Sequence, residues 1–268
     1  MVDLNPLSLW RGLLALPNES RTKTIAVAFI VSAVCALAVS SAAVYLGPIQ
    51  QANRVAEMEA RMEAMLASMP EMAALIEASG GDSLETMVVD LRTGLVAQDI
   101  DPDSFDADAV RTDPANTTVL TAEQDIAGIG RRPDLVSIHV LREDGELRLV
   151  ILPISGSGYQ STIRANLALE GDLNTVAALS ITAQGETPGL GARIEEAAWQ
   201  ALWPGRQLAD AEGNIRLEVV RGRATNSFEV DGITGATRTG RGVSDAVRFW
   251  LGPDGFAPVL GNLRAGRL

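Results

Sequence analysis

Residues 135–154 have the sequence LVSIHVLREDGELRLVILPI, and this stretch decides the fold class. Residues 135–141 and 146–154 are rich in apolar and β-branched residues, in the short runs that are typical of strands. Asp144 and Gly145 stand between the two runs, and Asp-Gly is a pair that tight hairpin turns prefer. The stretch therefore predicts an antiparallel hairpin and with it the beginning of a sheet.

The chain after this hairpin continues with short strand-like and helix-like segments. The same rules predict strands at residues 175–182, 215–221 and 227–233, and helices at residues 194–202 and 243–251. Strands in a run with helices to one side indicate an α+β domain, built on an antiparallel sheet with flanking helices. We assign residues 135–268 to this domain.

The N-terminal part contains a membrane-spanning candidate. Residues 24–47 carry no charge, and as a helix they would be about 35 Å long, enough to cross a bilayer. Basic residues precede this run: Arg11, Arg21 and Lys23. The positive-inside rule therefore predicts one uncleaved transmembrane helix, with residues 1–23 in the cytoplasm and the rest outside it. A cleaved signal peptide is the alternative, but the polar leader and the apolar run are both too long for one.

Residues 48–134 are predicted to form a helical and acidic linker region. Pro48 ends or kinks the membrane helix, and residues 50–78 return to helical spacing with five methionines, for which core packing is the commoner explanation. Residues 99–114, DIDPDSFDADAVRTDP, are acidic but do not match a calcium-binding EF-hand loop. We therefore expect that segment to be solvated.

Composition excludes several classes of function. The formal net charge of −12 argues against nucleic acid, whose phosphates require a basic face. Cys35 is the single cysteine and His139 the single histidine, so this chain alone cannot build a disulfide, an iron–sulfur cluster or a multi-histidine metal site. We predict no metal site, an apolar filling role for Cys35 and a core role for His139.

One segment, DGITGAT at residues 231–237, points to chemistry. It lies between a predicted strand and a predicted helix, where backbone amides and the helix dipole favour a phosphate. Gly235 and Ala236 leave the backbone open to a bulky group, and Thr234 and Thr237 supply hydroxyls. A glycine-rich turn with a threonine helix cap is the purely structural alternative.

Other segments support the chemical interpretation. Residues 185–191 read GETPGLG, in which Pro188-Gly189 fits a type II turn and the glycines allow a flat ligand to approach. Further segments follow the same order along the chain: ILPI at 151–154, SGSG at 155–158, DLNTV at 172–176 and RFWLGPDGF at 248–256.

Together, from about residue 135 to residue 264, these segments resemble NqrC, the covalent FMN-binding subunit of the sodium-translocating NADH:quinone oxidoreductases. The pattern D-x-x-[ST]-G-A-[ST] is where, in that family, a flavin transferase attaches FMN through a phosphoester to the last hydroxyl. The resemblance implies a bacterial inner-membrane subunit whose periplasmic FMN domain relays electrons within a sodium-transporting NADH:ubiquinone reductase. Its partners would be the other subunits and the transferase. The sequence has no nicotinamide-binding G-x-G-x-x-G unit after a strand, so we expect no NADH site here.

The resemblance also implies roles for individual residues. Thr237 would carry the FMN, and Asp231 would serve recognition by the transferase. The other implied cofactor contacts are Thr234, Gly235 and Ala236 at the phosphate end, Glu186, Thr187 and Leu190 against the flavin, Tyr159 near the ring, and Arg221 at its polar edge. Gln184 and Gln160 depart from the family pattern, in which histidine and an aromatic residue are common.

Two alternatives stay open on the sequence. The related ferredoxin-linked (Rnf-type) complex has a subunit with the same attachment and GETPGLG motifs. A membrane-anchored periplasmic binding module, with no flavin at Thr237, is the alternative without redox function.

Overall fold

The computed structural model describes Ala15, Pro17, Ser20, residues 21–67 and residues 84–268, with the side chains of Ala42, Ala43, residues 47–67 and Asp103 excepted. The chain divides into two units, Met1–Ala60 and Arg61–Leu268. Its helices are α1 (Arg21–Ala67), α2 (Ala107–Thr112), α3 (Ala197–Gln200), α4 (Thr237–Trp250) and α5 (Ala257–Arg264). Its strands are β1 (Leu84–Asp90), β2 (Leu95–Val96), β3 (Thr117–Val119), β4 (Arg131–Pro133), β5 (Leu135–Glu143), β6 (Glu146–Ser157), β7 (Thr162–Glu170), β8 (Val176–Ala183), β9 (Glu218–Val219) and β10 (Glu229–Val230).

Helix α1 contains the predicted membrane span. Arg21–Leu46 has a mean hydropathy of 2.4 over its most apolar window, none of which is buried, and it is long enough to cross a membrane. Its large apolar side chains are exposed, including Phe29 and Leu37. The helix continues past Pro48, so the expectation that Pro48 ends it is wrong. A proline removes only its own amide hydrogen bond, and neighbouring bonds carry the helix onward. Of the predicted helical stretch 50–78, residues 68–78 lie outside the described residues.

A six-stranded sheet in the order β2-β1-β5-β6-β7-β8 organises the second unit, and every neighbouring pair in it is antiparallel. The predicted hairpin joins β5 to β6, and its turn residues Asp144 and Gly145 have φ of 52° and 82°. Two positive φ values are what a type I′ turn requires. The α+β class with an antiparallel sheet is confirmed.

The sheet begins earlier in the chain than residue 135. Strand β1 pairs with β5 along its whole length, from Leu84 opposite Leu141 to Asp90 opposite Leu135. The prediction of a linker up to residue 134 is therefore wrong from residue 84 onward. The acidic stretch 99–114 contains short helices, because the side chain of Asp106 caps α2 and that of Asp113 caps the next turn.

Helix α4 lies against β6 and closes the main core. A Cβ at Gly242 would overlap the carbonyl oxygen of Ser157, and one at Gly156 would lie 2.8 Å from the Cβ of Ala246. The indole nitrogen of Trp250 donates to the carbonyl of Ser155 at 2.7 Å. Backbone and helix therefore approach closely along this line, which fixes where α4 begins.

Other elements differ from the sequence predictions in length. Strand β7 had no predicted counterpart, although Ile163, Ala165, Leu167 and Leu169 alternate on its buried side. The strands predicted at 215–221 and 227–233 shorten to the parallel pair β9 and β10. The helix predicted at 194–202 is only the short α3, preceded by a 3₁₀ turn. Helix α4 starts six residues before the predicted residue 243.

His139 has the structural role expected of it. Its ring is partly buried within β5, and Nδ1 forms a 2.9 Å hydrogen bond with the hydroxyl of Thr86 on β1. Burial lowers the pKa of the imidazole.

Candidate functional site

The segment 231–237, here called the attachment turn, connects β10 to α4. Thr237 is the first residue of that helix, and the preceding Ala236 provides no side-chain cap for the first amides. Uncapped amides at the start of a 14-residue helix are suited to an anion. Thr234 and Thr237 are both exposed, and within the described residues neither hydroxyl forms a hydrogen bond. The turn therefore presents two free hydroxyls beside free backbone donors.

A cavity of about 160 Å³ opens on the attachment turn. Its lining is Val219, Val220, Arg221, Gly222, Gly232, Ile233, Thr234, Gly235, Ala236, Thr237 and Gly240. Much of its floor is backbone, since five of these residues are glycine or alanine. Arg221 is the one charged member of this lining. The structure thus brings five of the predicted site residues together around one space.

The GETPGLG segment meets the attachment turn. Gly235 has φ of 81°, and a Cβ there would lie 3.0 Å from Cδ2 of Leu190. Leu190 is held by a turn in which its amide donates to the carbonyl of Thr187 at 3.1 Å. Gly189 has φ of 74°, the positive value that position i+2 of the predicted type II turn requires. Two motifs that are far apart in the sequence therefore form one surface.

Glu186 is the centre of a hydrogen-bond network. Its carboxylate accepts from the amides of Tyr159, Gln160 and Ser161 at 3.1, 2.9 and 3.2 Å. It also accepts from the hydroxyl of Thr239 at 2.6 Å. We call these five residues the Glu186 network. It ties the turn after β6, the segment after β8 and the first turn of α4 to one another.

The Glu186 network keeps a charge inside the protein. Glu186 is only 4% exposed. Burial raises the pKa of its carboxyl, but the hydrogen bonds from Thr239 and the three amides outweigh burial, so that the pKa lies below its ordinary value. The group is therefore ionised at neutral pH.

Close packing leaves the Glu186 network no spare room. A Cβ at Gly191 would lie 2.6 Å from Oγ1 of Thr239 and 2.9 Å from the Cβ of Glu186. A Cβ at Gly158 would lie 2.5 Å from Oε1 of Glu186. The glycines at these two positions are therefore required by the approach of neighbouring groups.

Tyr159 stands at the exposed edge of the site. Its side chain is 56% exposed, and the guanidinium of Arg238 lies 5.3 Å from the ring centroid, in cation–π contact. Arg238 follows Thr237 directly and brings a positive charge to the start of α4. The tyrosine thus offers a flat apolar face beside a cation.

Asp231 is turned toward the neighbouring loop. Its carboxylate accepts from the amide of Ala224 at 2.7 Å, and its carbonyl accepts from the indole nitrogen of Trp199 at 3.0 Å. Asp231 therefore stabilises the strand that leads into the attachment turn.

The sequence predictions missed two residues of this region, Thr239 and Arg238. Thr239 lies on the same buried face of α4 as Val243 and Ala246, at spacings of four and seven residues. A threonine on a buried helical face requires a hydrogen-bond partner, and this signal is present in the sequence. The contact of Arg238 with Tyr159 depends on the fold and has no sequence signal. Gln184 and Gln160 join the same region, because Gln184 accepts from the amide of Glu186.

The site fits a phosphorylated ligand with a flat ring. Gly235 leaves open a cradle that a Cβ would fill, and the uncapped amides of α4 and Arg221 provide groups for a phosphate. Tyr159 and Leu190 provide exposed apolar surface, at 56% and 44% exposure. Among the described residues, no cluster of three or more His, Cys, Asp or Glu side chains is arranged to hold a metal.

A family model and relatives of known name match this chain. Residues 158–252 match the FMN-binding domain family. NqrC of the Na(+)-translocating NADH-quinone reductase of Pseudomonas aeruginosa is 39% identical over 256 residues, which cover 93% of this chain and 98% of that protein. The corresponding protein of Yersinia pestis is 38% identical over 256 residues, covering 94% of this chain and 96% of that protein.

Solved structures agree with these matches. The crystal structure of Shewanella oneidensis NqrC superposes with a TM-score of 0.67 at 30% identity, covering 76% of this chain and 98% of that one. The structure of the corresponding protein from Parabacteroides distasonis has a TM-score of 0.56 at 22% identity, covers 80% of this chain and 96% of that one, and supports the fold alone. By the extent of this identity and coverage, the chain belongs to the NqrC family of Na(+)-translocating NADH-quinone reductase subunits.

Proposed function

We propose that this chain is the FMN-carrying, electron-relaying subunit of a sodium-translocating NADH:quinone reductase, with FMN bound covalently to Thr237. The observation that carries the covalent attachment is the exposed and unbonded hydroxyl of Thr237 at the uncapped start of α4. Family membership supports the wider assignment. The other subunits of the complex are then its partners, and they supply and accept the electrons.

The residues around the cavity provide the binding of the FMN phosphate. The amides at the start of α4 donate to the phosphate, and Arg221 adds positive charge. Gly235 and Ala236 keep the backbone open, while Thr234 adds a hydroxyl. A phosphoester at Thr237 would then have its negative charge stabilised by groups already in place.

The opposite side of the site provides surface for the flavin ring. Tyr159 and Leu190 are exposed, and Thr187 lies in the turn that positions Leu190. The isoalloxazine supplies the redox chemistry, and the chain supplies orientation, partial exclusion of water and a charged environment. No side chain of this site has to act as a general acid or base for the relay.

Recognition by the flavin transferase is the role we propose for Asp231. Its carboxylate shapes the loop at Ala224, beside the attachment turn. A transferase that reads the D-x-x-[ST]-G-A-[ST] pattern would meet that loop as well as the hydroxyls. Asp231→Asn keeps the shape and removes the charge, so we expect slower attachment with an unchanged melting temperature. Unchanged attachment in this variant would refute the role.

The chain is proposed to sit in the bacterial inner membrane with residues 24–47 as the span, residues 1–23 in the cytoplasm and the FMN domain in the periplasm. The apolar, exposed helix and the basic residues before it support this orientation. Protease added to intact spheroplasts tests it. We expect digestion of the domain, whereas protection of the domain would refute the orientation.

Covalent attachment is tested by intact mass. The full chain is co-expressed with a flavin transferase as wild type, Thr237→Ala and the matched control Thr234→Ala. We expect the added mass of FMN on wild type and on Thr234→Ala, and none on Thr237→Ala. No added mass on wild type, with a transferase that modifies a control substrate, would overturn the proposal and favour an anchored binding module.

A further inference from the structure

Glu186 is a buried negative charge with no ion pair among the described residues. Its carboxylate receives four close donors from the Glu186 network at 2.6–3.2 Å, and each donor is a neutral amide or hydroxyl. The buried Asp134, in contrast, is paired with Arg132. A buried carboxylate without a cation is costly to maintain, and the network keeps it ionised and immobile.

This charge lies within the ring of proposed flavin contacts. Glu186 directly precedes Thr187 and is bonded to the amide of Tyr159. Through Thr239 it is joined to the first turn of α4, two residues from Thr237. Leu190, which meets Gly235, belongs to the same short segment. The carboxylate therefore supports the ring side and the attachment side of the site together.

The carboxylate itself has little freedom to bind a ligand. Glu186 is 4% exposed, and both of its oxygens already accept hydrogen bonds. It therefore acts on a bound flavin through its fixed charge and through the groups it positions, and not by direct contact. This changes the expectation that Glu186 lies against the flavin.

We propose that Glu186 is a positioning residue whose buried, unpaired negative charge lowers the midpoint reduction potential of the flavin. The inference rests on the proposed attachment of FMN at Thr237. Reduction adds electrons to the isoalloxazine, and a nearby fixed negative charge disfavours that addition. The effect is stronger inside a protein than in water because the effective dielectric constant is lower. Removal of the charge at constant shape should therefore raise the potential.

The experiment compares three variants of the full chain carrying attached FMN. Glu186→Gln removes the charge and keeps the shape. Glu186→Asp keeps the charge and shortens the side chain, and Thr239→Val keeps the charge and removes one donor. Redox titration followed by flavin absorbance gives the midpoint potential of each, and intact mass reports the attached FMN.

We expect Glu186→Gln to shift the midpoint potential to more positive values, while Glu186→Asp and Thr239→Val stay near wild type. A purely structural role predicts a different result, in which all three variants shift alike or none does. Either of those results would overturn the inference.

A folding defect would not leave the question open. Glu186→Leu combined with Thr239→Val removes the charge and the hydroxyl together, and loss of both partners costs less than loss of one. It should show the same positive shift, and an unchanged potential in this double variant would overturn the inference. Failure of the proposed function is recognised separately, because wild type would then carry no FMN mass.

Discussion

The attachment turn and the Glu186 network treat their hydroxyl groups in opposite ways, although both involve the first turn of α4. Thr237 is exposed and makes no hydrogen bond within the described residues. Thr239, two residues later, is 1% exposed and donates to Glu186 at 2.6 Å. Reactivity and support are thus separated within one helical turn. A bonded, buried hydroxyl fixes the helix, and a free hydroxyl stays available for chemistry.

The largest effect is expected where α4 packs against β6. Gly242→Ala would place a Cβ on the carbonyl oxygen of Ser157, so α4 must shift away from the sheet. We expect a loss of about 1–3 kcal/mol or more in the free energy of unfolding, together with slower FMN attachment. Urea unfolding and intact mass measure the two effects.

The matched control is Gly261→Ala in α5, where a Cβ would meet nothing within 4 Å. There we expect a gain of about 0.4–1 kcal/mol, because alanine restricts the unfolded chain. Equal stability of the two alanine variants would show that the contact between α4 and β6 is looser than described.

A second prediction compares the two kinds of hydroxyl directly. Thr239→Val removes a buried donor to a charged acceptor, so we expect a loss of about 1.5–3 kcal/mol in unfolding free energy. Thr234→Val removes an exposed hydroxyl that has no partner among the described residues, so we expect a change within about 0.5 kcal/mol. Thermal unfolding of both variants is the measurement. A Thr234→Val variant as unstable as Thr239→Val would erase the distinction.

The sequence predicted the chemistry better than the architecture. The attachment turn and the GETPGLG segment were recognised as local patterns, and the Asp144-Gly145 hairpin followed from turn preferences. The meeting of Leu190 with Gly235 was beyond local patterns, because it depends on how β8 and α4 are arranged. Strand β1 was missed for a similar reason, since it pairs with β5, which lies far along the chain.

A third and smaller effect concerns Gly235. Gly235→Ala would force an alanine to φ of 81° and place its Cβ 3.0 Å from Leu190. Gly189→Ala carries a similar strain, with φ of 74°, but meets nothing within 4 Å. Each loses about 1–2 kcal/mol from backbone strain. We expect only Gly235→Ala to slow FMN attachment as well, and attachment rates measured by mass compare the two. Equal rates would show that the approach of Leu190 to Gly235 has no part in attachment.

The smallest effect is a pH dependence that isolates Glu186. Its pKa in the folded chain lies below the ordinary value of 4.5. The group therefore adds stability above about pH 4.5, and that stability is lost as the pH falls through the folded pKa. Glu186→Gln should be less stable than wild type at neutral pH, and the difference should shrink as the solution is acidified below about pH 4.5. Thermal unfolding across this range is the measurement, and a difference independent of pH would mean that the carboxylate charge contributes nothing.

The most direct test locates the flavin on the chain. Tryptic cleavage after Arg223 and Arg238 gives a peptide with Thr225, Thr234 and Thr237, while Thr239 falls in the next peptide. Fragmentation mass spectrometry of the flavin-bearing peptide then identifies the modified residue. We predict FMN on Thr237 alone. FMN on Thr239 would contradict the separation of the free and the supporting hydroxyl, and FMN on Thr234 would contradict the choice between the two free ones.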